Sequence, residues 1–121
     1  MNLITHGAST ITPTEILGYT SERESRNIIH AILGRSNPDV TLRPAALRTG
    51  TLIMGFHGAN SEADSASAEA LHATGGVFTV LSPDRGTIEM SYVAAGRITR
   101  ELEDETRDAW VLRVDFQEVA P

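Results

Sequence analysis

Between residues 110 and 117 the chain reads WVLRVDFQ. Trp110, Leu112, Val114 and Phe116 take every second position, with Val111, Arg113, Asp115 and Gln117 between them. Successive side chains of a strand point to opposite faces, so this period of two predicts a half-buried β-strand with a charged second face. GRITREL (96–102) is its natural partner across the acidic turn EDETRD (103–108). Before it, TIEMSYV (87–93) sets Ile88, Met90 and Tyr92 against Glu89 and Ser91, and VFTVLS (77–82) is extended up to a turn at Pro83–Asp84–Arg85–Gly86.

The first half alternates less cleanly. Residues 2–20, rich in Thr, Ser and Ile, predict one or two short strands, with Pro13 marking an edge or a turn. RNIIHAILG (26–34) is an apolar run closed by Gly34, and its β-branched residues favour a buried strand over a short helix. Asn37, Pro38 and Asp39 supply turn chemistry before a short strand ending at Pro44, and TGTLIMGF (49–56) is a further buried strand. One helix is expected, at about 61–74. Ser61 caps it, Glu62 and Asp64 place negative charge at its start, and Ala63, Ala66, Ala70 and Leu71 form its apolar stripe before Gly75–Gly76 stop it. Strands at short spacing with one helix among them predict a mainly β, α+β fold: an antiparallel sheet or small barrel with a helix packed across it. At 121 residues the chain makes a single domain.

Composition removes several functions. With no cysteine, disulfides, thiolate catalysis and Cys-type zinc sites are out. All ten basic residues are arginine, so no lysine is present to form a Schiff base or complete a phosphate-binding loop. A net charge of −6 argues against a nucleic-acid binder held by phosphate contacts. No apolar run approaches the ~20 residues that span a bilayer. MNLITHGAST has no basic start followed by an apolar stretch, so no signal peptide is expected and the protein should begin its life inside a cell.

The remaining candidates for chemistry have plainer accounts beside them. His6, His30, His57 and His72 make no recognised ligand spacing; Glu69 and His72 lie one helical turn apart, but a carboxylate-bridged metal site needs several such helices. His57–Gly58 within FHGAN resembles part of an oxyanion-hole loop, yet no nucleophile elbow accompanies it, and strand exit into a helix explains it better. The carboxylates of ELEDETRD suit a solvated hairpin tip, without the apolar surroundings that would separate their pKa values. The expectation is no enzyme, no metal and no cofactor.

Taken in order, VTLRPAALRTGTLIMGF, the Ala-rich helix and GGVFTVLSPDRGTIEMSYVAAGRITRELEDETRDAWVLRVDFQEV resemble minor tail proteins of long-tailed bacteriophages, the distal-tail and tail-tube-like family. The resemblance covers roughly residues 39–119, and the element order with the closing VDFQEV carries it. It implies an antiparallel split β-barrel or sandwich with one flanking α-helix, found in a virion and assembled with copies of itself into a ring, commonly a hexamer. Tail-tube and tail-hub proteins would be its partners, at the baseplate as a distal-tail ring or hub adaptor. A head–tail joining or tail-terminator ring is the alternative, and a small monomeric β binding module is the alternative of another class.

Edge strands at both ends of the sequence invite pairing with another chain, and DNA slides more freely past an acidic surface than past arginines. Glu89, Glu101, Asp115 and Gln117 are therefore the candidates to face a lumen or a neighbouring subunit. The turns at Arg35, Asn37 and Asp39 and at Glu103, Asp104, Glu105 and Arg107 are the candidate interface loops.

Overall fold

A computed structural model describes residues 2–103 and 108–120. Its strands are β1 (Leu3–His6), β2 (Ser9–Ile11), β3 (Glu15–Glu22), β4 (Ile28–His30), β5 (Asp39–Thr41), β6 (Thr49–His57), β7 (Phe78–Leu81), β8 (Met90–Leu102) and β9 (Ala109–Val119). One α-helix, α1 (Ser61–Ala73), follows β6, and a 3₁₀ turn (Gly86–Ile88) precedes β8. Among the described residues, seven strands form one antiparallel sheet in the order β2-β1-β7-β8-β9-β6-β3, while β4 and β5 pair only with each other. The fold is mainly β with one flanking helix, as the alternation predicts.

β9 lies in the middle, hydrogen-bonded to β6 along one side and to β8 along the other. Its even positions supply the core: Leu112, Val114 and Phe116 are buried beside Leu52, Met54 and Phe56 of β6, and Phe78, Val80, Met90, Tyr92, Ile4 and Ile11 continue the layer. Trp110 is only half-buried, because the Arg100 guanidinium covers it with its centre 3.7 Å from the ring.

The helix meets this layer by another face than the alanine pattern predicts. Ser61, Ser65, Ala68 and His72 are buried, Leu71 is half-buried, and Ala63, Ala66 and Ala70 are exposed. The polar atoms on the buried face all have partners. Ser61 Oγ donates to the Asp108 carbonyl, Ser65 Oγ donates to the Glu62 carbonyl and accepts from Arg100 Nε, and both His72 nitrogens are bonded. A paired polar group loses little on burial, and an alanine loses little in water, so hydrophobicity alone misplaces the stripe. Ser61 is not the cap: Asn60 holds that place and makes no side-chain capping bond.

Three further differences have local causes. The N-terminal segment forms three strands, because the chain turns at Gly7, where φ is +60°, and again around Pro13. The segments 87–93 and 96–102 join into one strand, β8, whose register slips between Ala94 and Ile98 around Gly96 at φ +136°. The run 26–34 contains a strand, β4, but an exposed one.

Gly50 sets a steric limit on the β3–β6 pairing. A Cβ there would run into the Thr20 carbonyl oxygen of the neighbouring strand, whereas at Gly86 the nearest obstacle is the end of the Glu89 side chain, 3.7 Å away. Gly50→Ala is expected to cost about 3 kcal/mol in urea unfolding, the upper range for a forced backbone shift. Gly86→Ala should stay within about 0.5 kcal/mol of the wild type.

Candidate functional site

The face of the sheet turned away from α1 carries hydroxyls in cross-strand rows. Thr10, Thr5, Thr79 and Ser91 are successive register partners over β2, β1, β7 and β8, with Thr79 and Ser91 oxygens 3.2 Å apart. Thr20, Thr51 and Asp115 make a second row over β3, β6 and β9. Glu101 lies opposite Val111, and Gln117 lies between Val93 and Thr49, so Glu101, Asp115 and Gln117 share this face.

Asp115 is tied down. It accepts the Arg97 backbone N–H at 3.0 Å and the Thr51 hydroxyl at 2.9 Å, which fastens the β8 bulge to β9 and holds its carboxyl below the usual range. Gln117 Nε2 donates to the Glu118 carbonyl. Glu89 stands apart from these three, before β8, where its carboxylate accepts the Ser82 backbone N–H.

Residues 23–47 leave the sheet as a hairpin arm. From Ser21 to Leu47 every residue is exposed except Ile32 and Ala46, which are half-buried. Ile29 is 69% exposed, Leu42 80% and Leu33, at the turn, fully so. Its hydrogen bonds are internal: Ala46 N–H to the Glu24 carbonyl, Arg43 N–H to Asn27 Oδ1, and His30 with the Thr41 hydroxyl. Arg35, Asn37 and Asp39 lie at or beside the far turn of this arm. Of the second candidate loop, Asp104, Glu105 and Arg107 lie outside the described residues. Glu103 continues the β8–β9 ladder by donating its N–H to the Ala109 carbonyl.

A cleft of about 670 Å³ lies between the outer edge of β3 and the loop 84–88, lined by Ile16, Leu17, Tyr19 and Ile88, with Asp84 and Arg85 on the loop side. Arg48 ties the two sides together, a role the sequence did not disclose. Its guanidinium pairs with both Glu118 oxygens at 3.1 and 2.9 Å, and donates also to the Tyr19 hydroxyl and to the carbonyls of Thr87 and Glu89. Only about 16% of the Arg48 side chain and 15% of that of Glu118 are exposed. The hydrogen bonds to Arg48 hold the Glu118 carboxyl below its ordinary range and raise the arginine. A planar fork of five donors suits such a junction as lysine would not.

His57 and His72 do not come together, whereas His6 and His72 both stack on Phe78, with centroids 4.5 and 4.2 Å away. His57, at the exit of β6, makes an exposed pair with Glu15, 2.8 Å away. His72 is buried on α1, where Nδ1–H donates to the Ala68 carbonyl and Nε2 accepts from Tyr92 O–H, so Glu69 has no share in it. Phe78 stacks on His72 with centroids 4.2 Å apart. Burial lowers the His72 pKa and raises that of Tyr92. Among the described residues, no three His, Asp or Glu side chains gather as metal ligands, and no helix is long and apolar enough to cross a membrane. No family model matches the chain, and no curated protein is significantly similar to it.

His72 gives the fold a pH limb. In the unfolded chain the imidazole takes a proton near its ordinary pKa of 6.5, while in the folded core it stays neutral to lower pH. Stability should therefore be intact above pH 6.5 and decline below it, until the lowered folded pKa is passed, at up to about 1.4 kcal/mol per pH unit. Urea midpoints between pH 7.5 and 5.5 test this. His72→Gln should flatten that slope and keep the separate loss below about pH 4.5, where Glu118 and Asp115 give up their depressed pKa values.

Proposed function

We propose that this protein is a structural component of a bacteriophage tail that docks with copies of itself in a ring, and that it transforms no molecule. The observation that carries the reading is the arm. A two-stranded hairpin alone is marginal in water, and one that presents Ile29, Leu33, Val40 and Leu42 to solvent leaves apolar surface waiting for a partner. When the covering surface lies elsewhere on an identical chain, the contact is heterologous and closes into a ring if its rotation allows. The open edges of β2 and β3 add unpaired backbone groups to the same tendency.

The resemblance of residues 39–119 to distal-tail and tail-tube-like proteins supports the tail assignment, with the sheet curled as a split barrel and a hexamer as the expected order. On this reading the hydroxyl face, with Glu101, Asp115 and Gln117, is the surface turned to the lumen. Among the described residues, Arg113 on β9 and Arg97 beside Asp115 are offset there by Glu101 and Asp115, so phosphates sliding past meet no concentrated positive charge. Tail-tube and hub proteins would meet the ring above and below, in the virion.

Native mass spectrometry and electron microscopy of the purified chain, alone and with tail-tube protein, test the reading. The wild type should form closed rings and enter tails. Ile29→Asp with Leu42→Asp, both on the exposed arm, should abolish assembly while unfolding free energy changes by less than about 1 kcal/mol. A wild type that stays monomeric and is absent from tails would leave a small binding module as the better account.

A further inference from the structure

Charge is divided unevenly between the arm and the rest. Residues 23–47 carry Arg23, Arg26, Arg35 and Arg43 against Glu24 and Asp39, a net charge of +2, so the remainder of the sequence carries −8. An arm that is both apolar and basic is matched to an acidic body with an apolar recess, which is what the other part of the same chain offers.

The recess is the cleft beside β3. The β3–β6 register slips between Ile16 and Gly18, leaving Leu17 bulged and 49% exposed at a sheet edge that no strand covers among the described residues. Tyr19 is held in place by Arg48, and Ile88 is buried under the far wall. Asp84, exposed at the rim, makes no hydrogen bond or ion pair among the described residues.

At the far turn of the arm stand Leu33, with its whole side chain in solvent, and Arg35, two residues on. The Arg35 N–H bonded to the Ile32 carbonyl and the positive φ of Gly34 fix the turn that presents them. The arm's turn thus brings one apolar knob and one cation; the cleft has one apolar hole, with the unpaired Asp84 carboxylate beside Arg85 on its rim.

We propose that the arm of one copy seats in the β3 cleft of a second copy, with Leu33 against Leu17 and Ile88 and Arg35 paired with Asp84. This rests on the self-docking reading above and names its contact. The two halves lie on different parts of the chain, so every copy gives an arm and receives one, and the contact propagates from copy to copy. Leu33 is the apolar anchor; Arg35 and Asp84 fix register and orientation.

Charge exchange in the full-length chain tests it, with assembly followed by light scattering and native mass spectrometry over a range of protein concentration. Arg35→Glu alone and Asp84→Arg alone should each weaken assembly at least tenfold, and the double variant should recover most of the loss. Leu33→Asp should weaken it at least as much, with no recovery from any change at Asp84. Circular dichroism should remain that of the wild type, all three sites being exposed. If the wild type assembles and the single exchanges leave assembly unchanged, or the double variant fails to recover it, this contact is wrong although self-docking stands. A wild type that never assembles overturns the self-docking reading and the contact with it.

Discussion

The sheet depends on β9 lying between β6 and β8. Every other strand of the sheet reaches the core through one of those two neighbours: β3 joins at β6, and β7, β1 and β2 follow from β8. The pairing is specific because the alternation allows only one register. A slip by one residue would turn Leu112, Val114 and Phe116 to the hydroxyl face and bring Arg113 and Asp115 inside. Arg48 adds a second tie across the same region, joining β9 through Glu118 to β3 through Tyr19 and to the loop before β8. The loop entering β8 is thus held where it meets that strand, at the carbonyls of Thr87 and Glu89.

Beneath the helix, polar atoms are admitted to the core on condition that each is bonded. His72 stands between the Ala68 carbonyl and the Tyr92 hydroxyl, and Ser65 between the Glu62 carbonyl and Arg100. Arg100 closes the arrangement by laying its guanidinium on the Trp110 ring while reaching back to the helix, so a half-buried cation is held by an aromatic face and by the Glu62 carbonyl. Such a layer specifies how the helix sits more narrowly than alanine packing would, since rotation by one residue breaks several bonds together.

These particulars explain what the sequence made legible. The period of two revealed β9 and the start of β8, and with them the common face of Asp115 and Gln117, because periodicity is itself the geometry of a pleated strand; β6 and β7 were legible as apolar extended runs. Glu89 falls outside that face since the 3₁₀ turn interrupts the alternation just before it. The helix was found and its buried side missed, because satisfied serines and a histidine do not register as apolar. Hydrophobicity alone buries the run 26–34, yet in the described structure all of it but the half-buried Ile32 is exposed. Arg48 gave no signal at all: its five donors matter only where loop, strand and carboxylate converge, and those partners are spread from Tyr19 to Glu118.

Because β9 joins the two halves of the sheet, a copy that lacks it is no near-substitute for a whole one. Loss of β9 would leave β6 and β8 facing each other across an empty lane, with two apolar surfaces and two ladders of backbone groups unmatched. Such a product would be open to proteolysis, because neither half of the sheet keeps the strand that closes its core.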